Sequence, residues 1–166
     1  MSTGQEKLVK DLEFLELLAV QMDAYLMSDT IFWKTTHVDL PDLTLGGYLM
    51  RQHRLLALRD SLSQAEQKRL DTAVAQFNQM IAVKGALFEK KARRELEARL
   101  RQWAAYLDDL AEATEDRGAY YQSAVETRIM IAALIDKLHI GDFLLSPEIG
   151  QKLTKLDNQL SRYWTS

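Results

Sequence analysis

Three histidines are scattered through the chain, and one of them keeps company that could do chemistry: His37 follows Trp33, precedes Asp39, and has His53 on the next expected helix. An indole wall, a titratable imidazole and a carboxylate gathered at one end of a helical bundle could enclose a small ligand or supply half of a metal site. Trp33, His37, Asp39 and His53 are therefore the ligand-binding candidates. The same residues also suit a bundle without chemistry, with Trp33 plugging its end, Asp39 shaping a turn and both histidines in solvent. Better-defined constellations are missing. No histidine has a glutamate three positions before it, as a di-iron bundle requires, and His-Glu-x-x-His does not occur. Gly46-Gly47 lacks the glycine-lysine-hydroxyl continuation of a phosphate loop. The chain has no cysteine, which removes disulfides, thiolate metal sites and cysteine nucleophiles together. No catalytic residue, metal or cofactor is expected.

A second group of residues could bind rather than react. From Lys90 to Arg101 the chain carries six basic residues against Glu95 and Glu97. On a helical wheel Lys90, Arg94 and Arg101 share a ridge flanked by Arg93, opposite the Ala92, Leu96 and Trp103 side. Such a ridge could meet phosphates or an acidic partner. Glu97 interrupts it, no aromatic residue interleaves with it, and Glu95 with Arg99 and Glu97 with Arg101 are spaced to pair within the helix. The net charge of −3 also has the wrong sign for a protein that finds nucleic acid by its overall field. Nucleic acid is not an expected partner. Lys90, Arg93, Arg94, Arg101 and Trp103 are the candidates for an interaction surface.

The elements that must position these residues are helices. At 166 residues, 47% hydrophobic and 27% charged, with only two prolines and seven glycines, the composition argues for a single all-α domain over 1–166. Leu8, Leu12, Leu15, Ala19, Met22 and Leu26 step by four and three from a helix start near Gln5. That helix either stops at Ser28-Asp29 or runs on to about Lys34. Thr35 to Asp42 reads as an extended connector, because Pro41 pushes Leu40 out of the helical region and Asp42 or Thr44 can cap the next helix. That second helix spans about Leu45 to Ser61, with Gln52 on its apolar side and Gly46-Gly47 in its first turn.

Ser63-Gln64-Ala65-Glu66 is a capping box, and the run it opens continues without proline to about Glu112. At 1.5 Å per residue such a helix would be on the order of 70 Å long. Its apolar stripe slips at Lys84-Gly85, so it is either straight or gently bent, which we favour, or kinked there. A helix over about Ala119 to Leu138 carries two stripes, one with Tyr121, Val125, Ala132 and Ile135, the other with Tyr120, Ala124, Ile131, Leu134 and Leu138. Gln52 and Arg128 interrupt apolar faces and are the expected buried polar groups. A last helix begins after Ser146-Pro147. The expectation is an antiparallel bundle of about five helices with one unusually long central helix.

The N-terminus lacks the basic start and apolar run of a signal peptide, and no stretch approaches the ~20 apolar residues of a membrane span. A cytoplasmic location without membrane contact is expected. Apolar residues from Phe88 to Leu110 need a cover that shorter helices would not reach. The functional expectation is thus a non-enzymatic bundle acting in protein–protein association, with itself as a homodimer through the long helix or with another protein. The alternative is a small-molecule or metal-binding bundle with its site near the Trp33–Asp39 connector.

Overall fold

The computed structural model describes residues 3–37, 39–112, 117–140 and 147–165. It is helical throughout: α1 (Thr3–Met27), α2 (Leu45–Ala57), a short 3-10 turn (Arg59–Ser61), α3 (Gln64–Val83), α4 (Gly85–Glu112), α5 (Arg117–Ile140) and α6 (Pro147–Thr165). The breaks expected around 113–116 and 141–146 lie outside the described residues. Among the described residues no helix is long and apolar enough to cross a membrane.

Six α-helices stand among the described residues where about five were expected, because the long one is interrupted. Lys84 leaves the helical region at φ −122° and ψ 43°, with its N–H still bonded to Met80 O and its carbonyl accepting from Phe88 N–H. Two causes coincide there. Gly85 is the residue that loses least by leaving a helix, and the Lys84 ammonium is drawn to the Asp23 carboxylate on α1. The favoured straight or gently bent helix is therefore replaced by a one-residue break.

Contacts divide the chain into two compact units, Met1–Ala92 and Arg93–Ser166. In the first, α1 contributes the expected stripe, with Leu8, Leu12, Leu15, Met22 and Leu26 buried together with Phe14, Leu18 and Tyr25. It ends at Met27 and not near Lys34, since Ser28 turns back to bond Tyr25 O through both its N–H and its hydroxyl. The capping box closes the start of α3, Ser63 Oγ accepting from Glu66 N–H at 3.1 Å and Ser63 N–H donating to Glu66 Oε1 at 2.9 Å. Arg69 of α3 meets Glu16 of α1, and the hydrogen bond to that carboxylate holds the guanidinium above its ordinary pKa. With Lys84 meeting Asp23 further along, α1 and α3 run parallel, and α2 lies antiparallel to α1. Tyr48 of α2 stacks on Phe77 of α3 at 3.8 Å, and Phe88 abuts Phe77 edge-on.

In the second unit α5 buries one of its two stripes, Ala124, Ile131, Leu134 and Leu138. The other is more open, with Tyr121 and Ala132 exposed; the Tyr120 side chain lies outside what the structure describes. Arg128, expected to be buried, is only half-buried, because its guanidinium reaches out to a two-point pair with Asp157 of α6 at 3.1 and 3.0 Å.

Candidate functional site

The connector, expected to be extended, is closed at its two ends into a loop. Trp33 and Leu43 exchange backbone hydrogen bonds of 3.0 and 2.8 Å, which ties its two ends together. The loop then enters α2 through Thr44, whose hydroxyl accepts from Gly47 N–H at 2.8 Å. A side chain at that entry would crowd the cap: a Cβ on Gly47 would stand 2.8 Å from Thr44 Oγ1 and 3.1 Å from the Phe14 ring, so those side chains would have to shift. Trp33 is half-buried, its indole N–H donating to Gln21 Oε1 at 2.6 Å and its ring tilted against Tyr25 at 5.8 Å.

The other sequence candidates lie on the exterior. His37 is exposed, with Nε2 3.9 Å from Glu13 Oε2 on α1. Asp39 is exposed on the loop and His53 is exposed on α2. Among the described residues no contact joins His37, Asp39 and His53, and no three acidic or imidazole groups gather as a metal site would need. Trp33 serves as a wedge between connector and α1, the non-chemical reading of that residue.

What holds the connector is a residue that its sequence context does not single out. Lys91 of α4 is 3% exposed. Its three N–H groups are shared among four acceptors, Tyr25 O, Ser28 O at 2.8 Å, Ser28 Oγ at 2.9 Å and Thr30 O at 2.8 Å. It also sits 4.2 Å from the centre of the Tyr25 ring. A helix ends with unpaired carbonyls and a partial negative charge, and a cation placed there satisfies both. Lys91 thus caps the C-terminus of α1 from another helix and fixes the first residues of the connector.

Other buried charges are also spoken for. Asp11, 3% exposed, receives Arg54 at 2.7 and 2.8 Å and has Arg51 Nε at 3.6 Å. Arg51 in turn lies over the Phe14 ring and donates to Gly47 O. In α4, Glu95 is fully buried and accepts from Arg99 at 3.1 Å, which also donates to Gln102 at 3.0 Å. Both clusters left a trace in the sequence. Asp11 sits on the stripe of Leu15, Leu18, Met22 and Tyr25, and Glu95 and Arg99 sit on the side of α4 that also carries Phe88 and Ala92. Tyr48 Oη, Gln52 Oε1 and Trp103 Nε1 are buried without a hydrogen-bond partner among the described residues. Burial raises the pKa of the Tyr48 phenol well above its ordinary value.

The interaction-surface candidates separate into three groups. Trp103 is not on a surface: it is 3% exposed, and Phe88, Ala92, Leu96, Leu100 and Leu107 are buried with it on the inner side of α4. The chain covers these residues itself, which removes the argument that this apolar face calls for a second chain. Arg93 is half-buried and engaged within the chain. Lys90, Arg94 and Arg101 are exposed, as is Glu97 between them, and among the described residues none of the four has an ion-pair partner. Glu97 and Arg101, although spaced to pair along the helix, do not. Comparison of the chain with protein-family models, with characterised proteins and with solved structures found no match.

Proposed function

We propose that the protein acts by associating with itself through the outward face of α4. One observation carries the reading. The buried charges are held by partners of their own chain, while Lys90, Arg94, Glu97 and Arg101 stand exposed along one face of a helix, with no ion-pair partner among the described residues. Charges of both signs on one solvated face are what an electrostatic contact between helices uses. Exposed ion pairs contribute only about 0.2–1 kcal/mol each, so the association is weak and sensitive to salt. The alternative, a ligand site around the connector, has less to support it, since no hydrogen bond or ion pair links His37, Asp39 and His53 among the described residues.

The test is sedimentation or light scattering over a concentration series. At an ionic strength of about 0.01 M, where the screening length is about 30 Å, the mass should climb above that of one chain. At about 1 M, where it is about 3 Å, the mass should return to one chain. A mass that stays at one chain at all concentrations in low salt refutes the reading.

A further inference from the structure

The same face of α4 carries a pattern that selects one geometry for the pair. Successive residues of an α-helix are about 100° apart, which places Lys90, Glu97, Arg101 and Asp108 within about 40° of one another. All four are exposed. Arg99 lies on the opposite side of the helix, where it is buried in its pair with Glu95. Counted along the chain, Glu97 and Arg101 stand at equal distances either side of the level of Arg99, and so do Lys90 and Asp108. Each of these equidistant pairs joins opposite charges.

We infer that two copies pair antiparallel through α4, about a two-fold axis that crosses the helix at the level of Arg99. In a two-fold contact, residue i of one copy meets residue j of the other and j meets i. An antiparallel pair about this level therefore sets Glu97 against Arg101 of the second copy, and Arg101 against its Glu97. Lys90 and Asp108 repeat the arrangement further out. Arg94 falls opposite Ala104, a small side chain that leaves room for it. A parallel pair in register would set Glu97 against Glu97 and Arg101 against Arg101, where like charges repel. The charge order thus identifies the occupant of the face as a second copy and fixes its direction. Asp108 accepts a long hydrogen bond from Gln159 at 3.5 Å, too weak to withdraw it from an incoming ammonium.

This inference rests on the self-association proposed above, and charge exchange at the two inner positions tests it separately. The full chain is compared at low salt as wild type, as Glu97→Arg, as Arg101→Glu, as an equimolar mixture of those two variants, and as the double variant. Each single variant replaces two attractive pairs by two repulsive ones and should weaken the dimer by at least about tenfold, or 1.4 kcal/mol. The mixture restores both pairs between unlike copies and should dimerise as a heterodimer; the double variant restores both pairs between like copies. Circular dichroism confirms that these exposed positions leave the fold intact. Single variants that dimerise as well as wild type, or a mixture that stays monomeric, overturn the antiparallel arrangement. If the wild type associates but ignores the exchange, only this geometry fails; if the wild type never associates, the proposed function fails with it.

Discussion

Replacing Lys91 by methionine removes the ammonium and keeps most of the stem that fills its place, so it isolates the role of the charge. The acceptors are not equally dependent on it. Tyr25 O retains the Ser28 N–H at 3.1 Å and the Ser28 hydroxyl at 2.7 Å, while among the described residues Ser28 O and Thr30 O have no other donor. Each orphaned carbonyl costs about 1–3 kcal/mol, at the lower end here because these two lie near solvent. Loss of the cation at a helix C-terminus adds about 0.3–1 kcal/mol, and loss of the contact with the Tyr25 ring about 0.5–1 kcal/mol. Against these stands relief from burying an ammonium, which amounts to several kcal/mol before its hydrogen bonds are counted. The expected net effect of Lys91→Met is a destabilisation of about 1–3 kcal/mol. It should appear in urea titrations as a lower midpoint with an unchanged slope. Hydrogen exchange should place the loss locally, with the Trp33 and Leu43 amides, which close the connector, losing protection first. A variant as stable as wild type, with those amides equally protected, would mean that the ammonium does not hold the connector.

Two other substitutions probe the polar interior with opposite signs. Tyr48→Phe removes a fully buried hydroxyl that has no hydrogen-bond partner among the described residues and should raise stability by about 1 kcal/mol in urea titration, a loss instead implying a hidden partner. Because the folded state raises the phenol's pKa, its contribution is intact below the unfolded value of about 10 and is lost as pH rises beyond it. Tyr48→Phe should therefore also flatten the fall in melting temperature above that pH. Asp11→Ala leaves Arg51 and Arg54 without their carboxylate and should cost about 3 kcal/mol by the same titration; a change under about 0.5 kcal/mol would show that the pair is as dispensable as a surface one.

The parts of this fold that depend on adjacent residues could be read in advance. Ser63 and Glu66 announce a capping box because the groups that bond lie within one turn, and Thr44, the observed cap of α2, was one of the two candidates with Asp42. The slip of the apolar stripe at Lys84-Gly85 marked the right place for a break, but choosing between bend and break required Asp23, which sits on another helix. Lys91 is a stronger case. In sequence it is one basic residue among six between Lys90 and Arg101, set off from its exposed neighbour Lys90 only by lying about 100° further round the helix, at the edge of the apolar side. Its burial is decided by the end of α1, as far as 66 positions away. Trp103 failed in the opposite direction. Its stripe told correctly that it needed cover, and only the folded chain shows that the cover comes from within.

The distribution of charge bears on where binding should be sought. A buried ion such as Asp11, Lys91 or Glu95 was desolvated during folding and is balanced by partners placed to receive it. Lending it to a ligand would break that balance and leave a guanidinium or a set of carbonyls unpaired in the interior. These residues are thus poor candidates for a site, however strongly their types suggest one. Exposed groups carry no such obligation. His37, Asp39 and His53 are exposed, and among the described residues no hydrogen bond or ion pair joins them. Lys90, Arg94, Glu97 and Arg101 are exposed and held in order by a helix whose opposite side is anchored by Phe88, Leu96, Leu100 and Trp103. A row of exposed charges on a helix gives up little conformational freedom of the backbone when it meets a complementary row. That asymmetry supports seeking function on the outer face of α4 before the connector.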